Sequence, residues 1–151
     1  MLSSIQKTPV VTCFLTRGNS GETRILLVRR SQRVGSYNAR WAGVSGFVEA
    51  GVPPDEQAFT EIREETSLQR EQVRMLRRGA VIEHVDASLG RHWLIHPYLF
   101  ETLAPDAIQT DWEASEMRWI APAELPDYET VPKLAEAYES AVHGEVVASD
   151  S

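Results

Sequence analysis

The sequence predicts an α/β or α+β domain with helices packed on a mixed β-sheet. Two observations carry this reading: strand-like segments give way to a helical pattern, and the same succession then repeats. A third bounds it, since 151 residues suffice for one domain with a proper core.

Taken in order, "VVTCFLT" (10–16) is rich in β-branched and aromatic residues and reads as a strand. "RGNSGET" (17–23) supplies turn residues, and "RILLVRRS" (24–31) the partner strand. "QRVGSYNARWAG" (32–43) reads as a loop leading into "VSGFVEAG" (44–51), a short run around two glycines. "PPDEQAFTEIREETSL" (53–68) is the first helix. Prolines open it, Asp55 and Glu56 suit the positive end of its dipole, and Ala58, Phe59 and Ile62 form an apolar stripe. "RRGAVIEHV" (77–85) and "RHWLIHPYLFET" (91–102) are strands around the loop 86–90, and "MRWIAP" (117–122) is a further short strand. "TVPKLAEAYESAV" (130–142) closes the chain as an amphipathic helix with Val131, Leu134, Tyr138 and Val142 at helical spacing. Residues 1–8 are expected to be a flexible arm, 9–143 a single domain, and 144–151 a flexible tail.

Composition narrows the function. A net charge of −7 argues against coating a nucleic acid polymer, which needs basic faces. No run approaches the about 20 apolar residues of a membrane-spanning helix, and the N-terminus lacks the apolar block of a signal peptide. Cys13 is the sole cysteine and has apolar neighbours, so a buried inert thiol in a reducing cytoplasm is expected. His92 and His96 lie four residues apart on a strand, about 13 Å, too far to share one metal ion.

The chemistry concentrates in "FTEIREETSL". On a helix that advances about 100° per residue, Glu61 and Glu65 stack one turn apart and Glu64 lies on the adjacent edge. Carboxylates so crowded repel one another, and they suit a hard divalent cation such as Mg²⁺ or Mn²⁺. By itself an E-x-x-E-E pattern more often marks a solvated acidic face.

The flanking residues change that balance. From Gly46 to Leu68 the chain resembles the box of the Nudix hydrolases, G-x5-E-x7-R-E-U-x-E-E-x-G-U, where U is aliphatic. Gly46, Glu61, Ile62, Glu64, Glu65 and Leu68 match, while Val52, Thr60 and Ser67 replace the first glutamate, the arginine and the late glycine. "ILLVRRS" and "EMRWIAPAEL" resemble the strands that flank the box, so the likeness covers most of residues 9–142.

The resemblance implies an α/β fold, an α/β/α sandwich with a mixed β-sheet between helices. It implies hydrolysis of a phosphoanhydride in a nucleoside diphosphate linked to another group, with Mg²⁺ or Mn²⁺ held by Glu61, Glu64, Glu65 and the peptide carbonyl of Ser45. One of those glutamates or a later one would deprotonate the attacking water; Glu116 is the closest counterpart, with Glu113 the alternate, both expected in a loop. Of the candidates Arg29, Arg30, Arg40, Arg77 and Arg78, Arg29 and Arg40 are expected on substrate phosphates beside Gly46, and Tyr37 and Trp41 either stack a base or lie in the core. The departures remove an orienting ion pair, which Asp55 or Glu56 would partly replace. Ser67 implies a helix that ends without a glycine in the left-handed conformation. The alternative is a nucleotide-binding or regulatory domain with weakened turnover. A nucleotide derivative is the expected partner; a nucleic acid polymer or a membrane is not, and a homodimer stays open.

Overall fold

A computed structural model of the chain describes residues 5–18, 22–110 and 114–147. The strands are β1 (Gln6–Arg17), β2 (Arg24–Arg30), β3 (Trp41–Ala42), β4 (Val44–Phe47), β5 (Val73–Arg78), β6 (Ile82–Asp86), β7 (Arg91–Thr102), β8 (Ala114–Ile120) and β9 (Glu145–Val146), with helices α1 (Pro54–Thr66) and α2 (Leu134–Val142). β1 runs parallel to β7 from Gln6 opposite Arg91 to Thr16 opposite Glu101. The other edge of β1 is divided. Thr16 and Arg17 pair with β2, whereas Val10–Cys13 pair with β4, so the sheet forks and β2 carries β3 and β8 away from β1.

Alternation sends each strand's side chains to two cores. Val11, Cys13, Leu15, Leu26 and Val28 pack with Ala58 and Ile62 of α1. Phe14, Ile25 and Leu27 pack on the opposite face with Leu134, Ala137 and Ala141 of α2. The mixed sheet therefore lies between the two helices, as the expected sandwich requires.

Several boundaries differ from the sequence reading. β1 begins at Gln6, within the predicted arm, and β9, within the predicted tail, pairs with Arg77 and Arg78. Residues 1–4 of that arm and 148–151 of that tail lie outside the described residues. The single strand expected over 77–85 is two strands, β5 and β6. Both pair with β7, β5 on Tyr98–Thr102 and β6 on Arg91–Ile95. Pro97 sits at the changeover; it has no N–H for a neighbouring strand, and its carbonyl accepts from Gly79 at 2.9 Å. The closing helix starts at Leu134 rather than 130, because Pro132 precedes it and Lys133 adopts φ 68°.

Ser67 ends α1 without a glycine, as expected. It caps α1 in the left-handed conformation, φ 67° and ψ 5°, with its N–H donating to the Arg63 carbonyl. The helix ends as it would with glycine, but a serine bears the steric cost. Ser67→Gly should therefore raise Tm by about 2–4 °C for each kcal/mol of strain released. An unchanged or lower Tm in a thermal melt would show that the unfolded-state entropy of glycine outweighs that relief.

Candidate active site

The carboxylates of α1 occupy three different depths. Glu65 is 8% exposed and lies close to Cys13, Glu61 is half-buried, and Glu64 reaches solvent. Burial is the main cause that raises the Cys13 thiol well above its ordinary pKa, and the charges of Glu65 and Glu61 add to it. Such a thiol stays protonated and inert, as the apolar neighbourhood predicted.

Glu61 is held from two sides. Gln57, one turn earlier and 2% exposed, donates its Nε2 to Glu61 Oε1 at 2.9 Å while its Oε1 accepts from the Glu49 N–H at 3.1 Å. On the other side Gly46 of β4 abuts the Glu61 carboxylate so closely that a Cβ there would land on it. Gln57 thus ties Glu61 to the backbone ahead of the helix, the orienting work that Thr60 cannot do.

Asp55 and Glu56 do not replace the missing charge. Arg78 donates its Nε to Asp55 Oδ1 at 3.0 Å and also pairs through its second nitrogen with Oδ2, and the Tyr98 hydroxyl donates to Oδ1 at 2.7 Å. Glu56 pairs with Arg70 at 3.0 Å. Both acids anchor α1 rather than serve the site. The Arg78 guanidinium, helped by Tyr98, holds the Asp55 carboxyl below its ordinary pKa. Stability from this group is complete above its unfolded pKa of about 3.9 and is lost as pH falls through the lowered folded value. Asp55→Asn should lower Tm at pH 7, and the gap from the parent protein should close on acidification. A gap that is constant with pH would assign the effect to packing instead.

Beside these carboxylates opens a cavity of about 310 Å³ between the sheet and the segment that leads into α2. Its lining includes the acidic Glu49, Glu61 and Glu64 together with Ser45 and Gly46. Tyr37, Phe47 and Trp93 also line it, as do Val131, Pro132 and Leu134, and Arg30 and Lys133 bring positive charge. A second hollow, about 450 Å³ between Arg78, Ser140 and Gly144, contains none of the α1 glutamates.

The expected site residues separate into two groups. Ser45, Gly46, Glu61 and Glu64 line the cavity, and Glu65 lies buried on the same helix. Arg29, Arg40, Trp41 and Glu116 do not line it. Glu116 lies within β8 rather than in a loop, and Arg29 Nη1 donates to it at 3.0 Å, with Arg118 at 3.8 Å. Arg40 donates to the Thr130 carbonyl at 3.1 Å and faces Glu129 at 3.6 Å, fixing the segment that leads into α2. Trp41 is 8% exposed and packs in the α2-side core, its ring edge-on to Tyr128 at 5.4 Å with the Arg118 guanidinium at the same distance. Its base-stacking role is thereby replaced by a core role. Glu113 lies outside the described residues.

Arg30 and Tyr37, both candidates in the sequence, line the cavity, whereas sequence reasoning passed over Gln57, Lys133, Phe47 and Trp93. Gln57 was legible, standing four residues before Glu61 on one helix face. Nothing in the sequence marks Lys133 as lining the cavity, where it stands ahead of α2 with φ 68° and pairs with Glu136 at 3.4 Å.

The residues fit a hard divalent cation by donor chemistry: carboxylate and carbonyl oxygens, with the negative charge beside a nucleotide-sized cavity. Among the described residues no three His, Cys, Asp or Glu side chains already form a metal-binding cluster. A cation at Glu61, Glu64, Glu65 and Ser45 would thus draw further ligands from water and phosphate oxygens. His92 pairs with Glu83 at 2.7 Å, and His84 lines the cavity.

A family model described as the NUDIX domain matches residues 6–141. Among solved structures, an Ap4A hydrolase from C. elegans in a binary complex superposes with TM-score 0.74 at 16% identity, covering 88% of this chain and 93% of that one. The MutT protein from Methanosarcina mazei Go1 gives TM-score 0.72 at 18% identity, covering 92% and 94%. RenU, a Nudix hydrolase from M. Smegmatis, gives 0.69 at 17%, covering 91% and 84%. At such identities the likeness is one of fold. No curated protein sequence matches the chain.

Proposed function

This chain belongs to the Nudix family and is a pyrophosphohydrolase of that family, and we propose that it uses Mg²⁺ or Mn²⁺ to cleave a phosphoanhydride in a nucleoside diphosphate linked to another group. The observation that carries the finer reading is one cavity whose lining combines two of the α1 glutamates and Gly46 with aromatic side chains.

Glu61, Glu64, Glu65 and the Ser45 carbonyl would hold the cation. When bound, such an ion neutralises charge on phosphate oxygens and acidifies a water. Gln57 keeps Glu61 facing Gly46, so that its carboxylate is already placed before substrate arrives. Arg30 and Lys133 offset the negative charge of the phosphates. The water's proton would pass to one of the α1 carboxylates, since Glu116 is bound by Arg29 and does not line the cavity. A cytoplasmic setting completes the proposal, since its reducing conditions keep Cys13 a thiol.

Phosphate release from a panel of dinucleoside polyphosphates, nucleotide sugars, ADP-ribose and nucleoside triphosphates tests the reading directly. Turnover should require Mg²⁺ or Mn²⁺. The cation should also stabilise the protein without substrate: at ten times its Kd the gain is about 1.4 kcal/mol, or roughly 3–6 °C in Tm. Sodium chloride at matched ionic strength should not imitate this shift. No turnover of any compound, together with a melt no different from the salt control, would overturn the proposal and favour the weakened binding domain.

A further inference from the structure

We propose that Tyr37 is a specificity-determining residue of the cavity, its ring fixed by Asp86 and Trp93 so as to offer a flat apolar face to the base of a nucleotide; the inference rests on the nucleotide reading above. Three observations converge on it.

The first is the hydrogen-bond arrangement. The Tyr37 hydroxyl donates to Asp86 Oδ2 at 2.7 Å and accepts from Trp93 Nε1 at 3.0 Å. The other oxygen of Asp86 is fixed too, accepting from the Ser88 N–H at 3.1 Å and the Ser88 hydroxyl at 2.6 Å. With its donor and an acceptor site engaged, the Tyr37 hydroxyl has little left for a ligand. What Tyr37 offers the cavity is its ring. The Trp93 ring also lines the cavity, its centroid 6.3 Å from that of Tyr37 at 54°. Planar aromatic surfaces held in place favour a planar partner.

The second is backbone conformation. Tyr37 has φ 50° and Ala39 φ 63°, an unfavourable choice for two side-chain-bearing residues so close in sequence. The surrounding contacts impose it: Arg30 Nε donates to the Ser36 carbonyl at 2.8 Å, Arg29 Nε to that of Ala39 at 3.0 Å, and Asn38 Nδ2 to that of Gln32 at 2.9 Å. The loop from Ser31 to Arg40 is bound to its own stem, and Tyr37 ties it to β6 and β7.

The third is position. Tyr37 joins two elements that both line the cavity, the loop after β2 and the hairpin of β6 and β7. Releasing the hydroxyl would release that loop without removing the ring. The binding step must then restore an arrangement that the parent protein already has.

Steady-state kinetics on the full chain tests this. The best nucleotide of the panel gives KM, and inorganic tripolyphosphate, which lacks a base, gives an inhibition constant for the phosphate end alone. Tyr37→Phe should raise KM for the nucleotide about tenfold, the cost of re-ordering the released loop on binding, and leave the tripolyphosphate constant as it was. Asp86→Asn should act the same way, and the double variant should be no worse than the poorer single one. A KM and tripolyphosphate constant that rise together, or neither moving in two variants that melt as folded proteins, would overturn the proposal. If the parent protein hydrolyses no nucleotide at all, the nucleotide reading fails first and this inference falls with it; if it hydrolyses one and Tyr37→Phe leaves KM unmoved, only this inference fails.

Discussion

Glu65→Gln is expected to leave a folded protein whose hydrolytic rate is at least about a hundredfold lower, since each 1.36 kcal/mol of lost transition-state stabilisation is tenfold. The replacement keeps the shape of a side chain that is 8% exposed and removes only its charge. A buried anion this close to Glu61 and to Cys13 raises the energy of the cation-free protein. The cation-free Tm should therefore hold or rise while activity collapses, the opposite of what damage to the core would give. The shift in Tm on adding Mg²⁺ or Mn²⁺ should shrink in parallel. Rates like those of the parent protein would remove Glu65 from the site.

Gly46→Ala is the second large effect. An added methyl would collide with the Glu61 carboxylate, which is the far end of a flexible side chain. The protein can therefore accommodate it by swinging Glu61 away, at little cost to β4. Folding should persist, with kcat reduced about ten- to hundredfold, an effect of roughly 1.4–2.7 kcal/mol on the barrier. Gln57→Ala should give a smaller loss of the same kind, because it removes one hydrogen bond to Glu61 and leaves Gly46 in place. A Gly46→Ala protein that melts and turns over like the parent would show that the position of Glu61 is immaterial to the chemistry.

What the sequence made legible was local. The three glutamates, Gly46 and the apolar face of α1 follow from spacing along one helix and one strand. The misreadings arose where a partner distant in the chain decides the outcome. Trp41 is amphipathic and suited either a ligand or a core; contact with Tyr128 and Arg118 decided for the core. Glu116 sits in a polar stretch that reads as loop, yet β2 supplies the backbone pairing that makes it strand, opposite Arg29. The division of β5 from β6 depends on Pro97 in another strand. Gln57 is a different case. It was visible at helical spacing, but the box directs attention to positions 52 and 60, and the compensating residue stands at neither.

The parallel pairing of β1 with β7 has a consequence for how the protein is made. Thr16 donates to the Phe100 carbonyl across 84 residues of chain, and this long-range pairing forms the floor from which Val10, Thr12, Trp93 and Ile95 face the cavity. A nascent chain leaving the ribosome has the whole of α1, glutamates included, well before β7 exists to complete the sheet. Until then the carboxylates have neither a cavity beside them nor Trp93 to line it. Pairing over such separations makes folding slow, in milliseconds to seconds rather than microseconds. Cation affinity should thus emerge late and in one step, so that Mg²⁺ binding by stalled chains of increasing length would report the moment at which β7 docks.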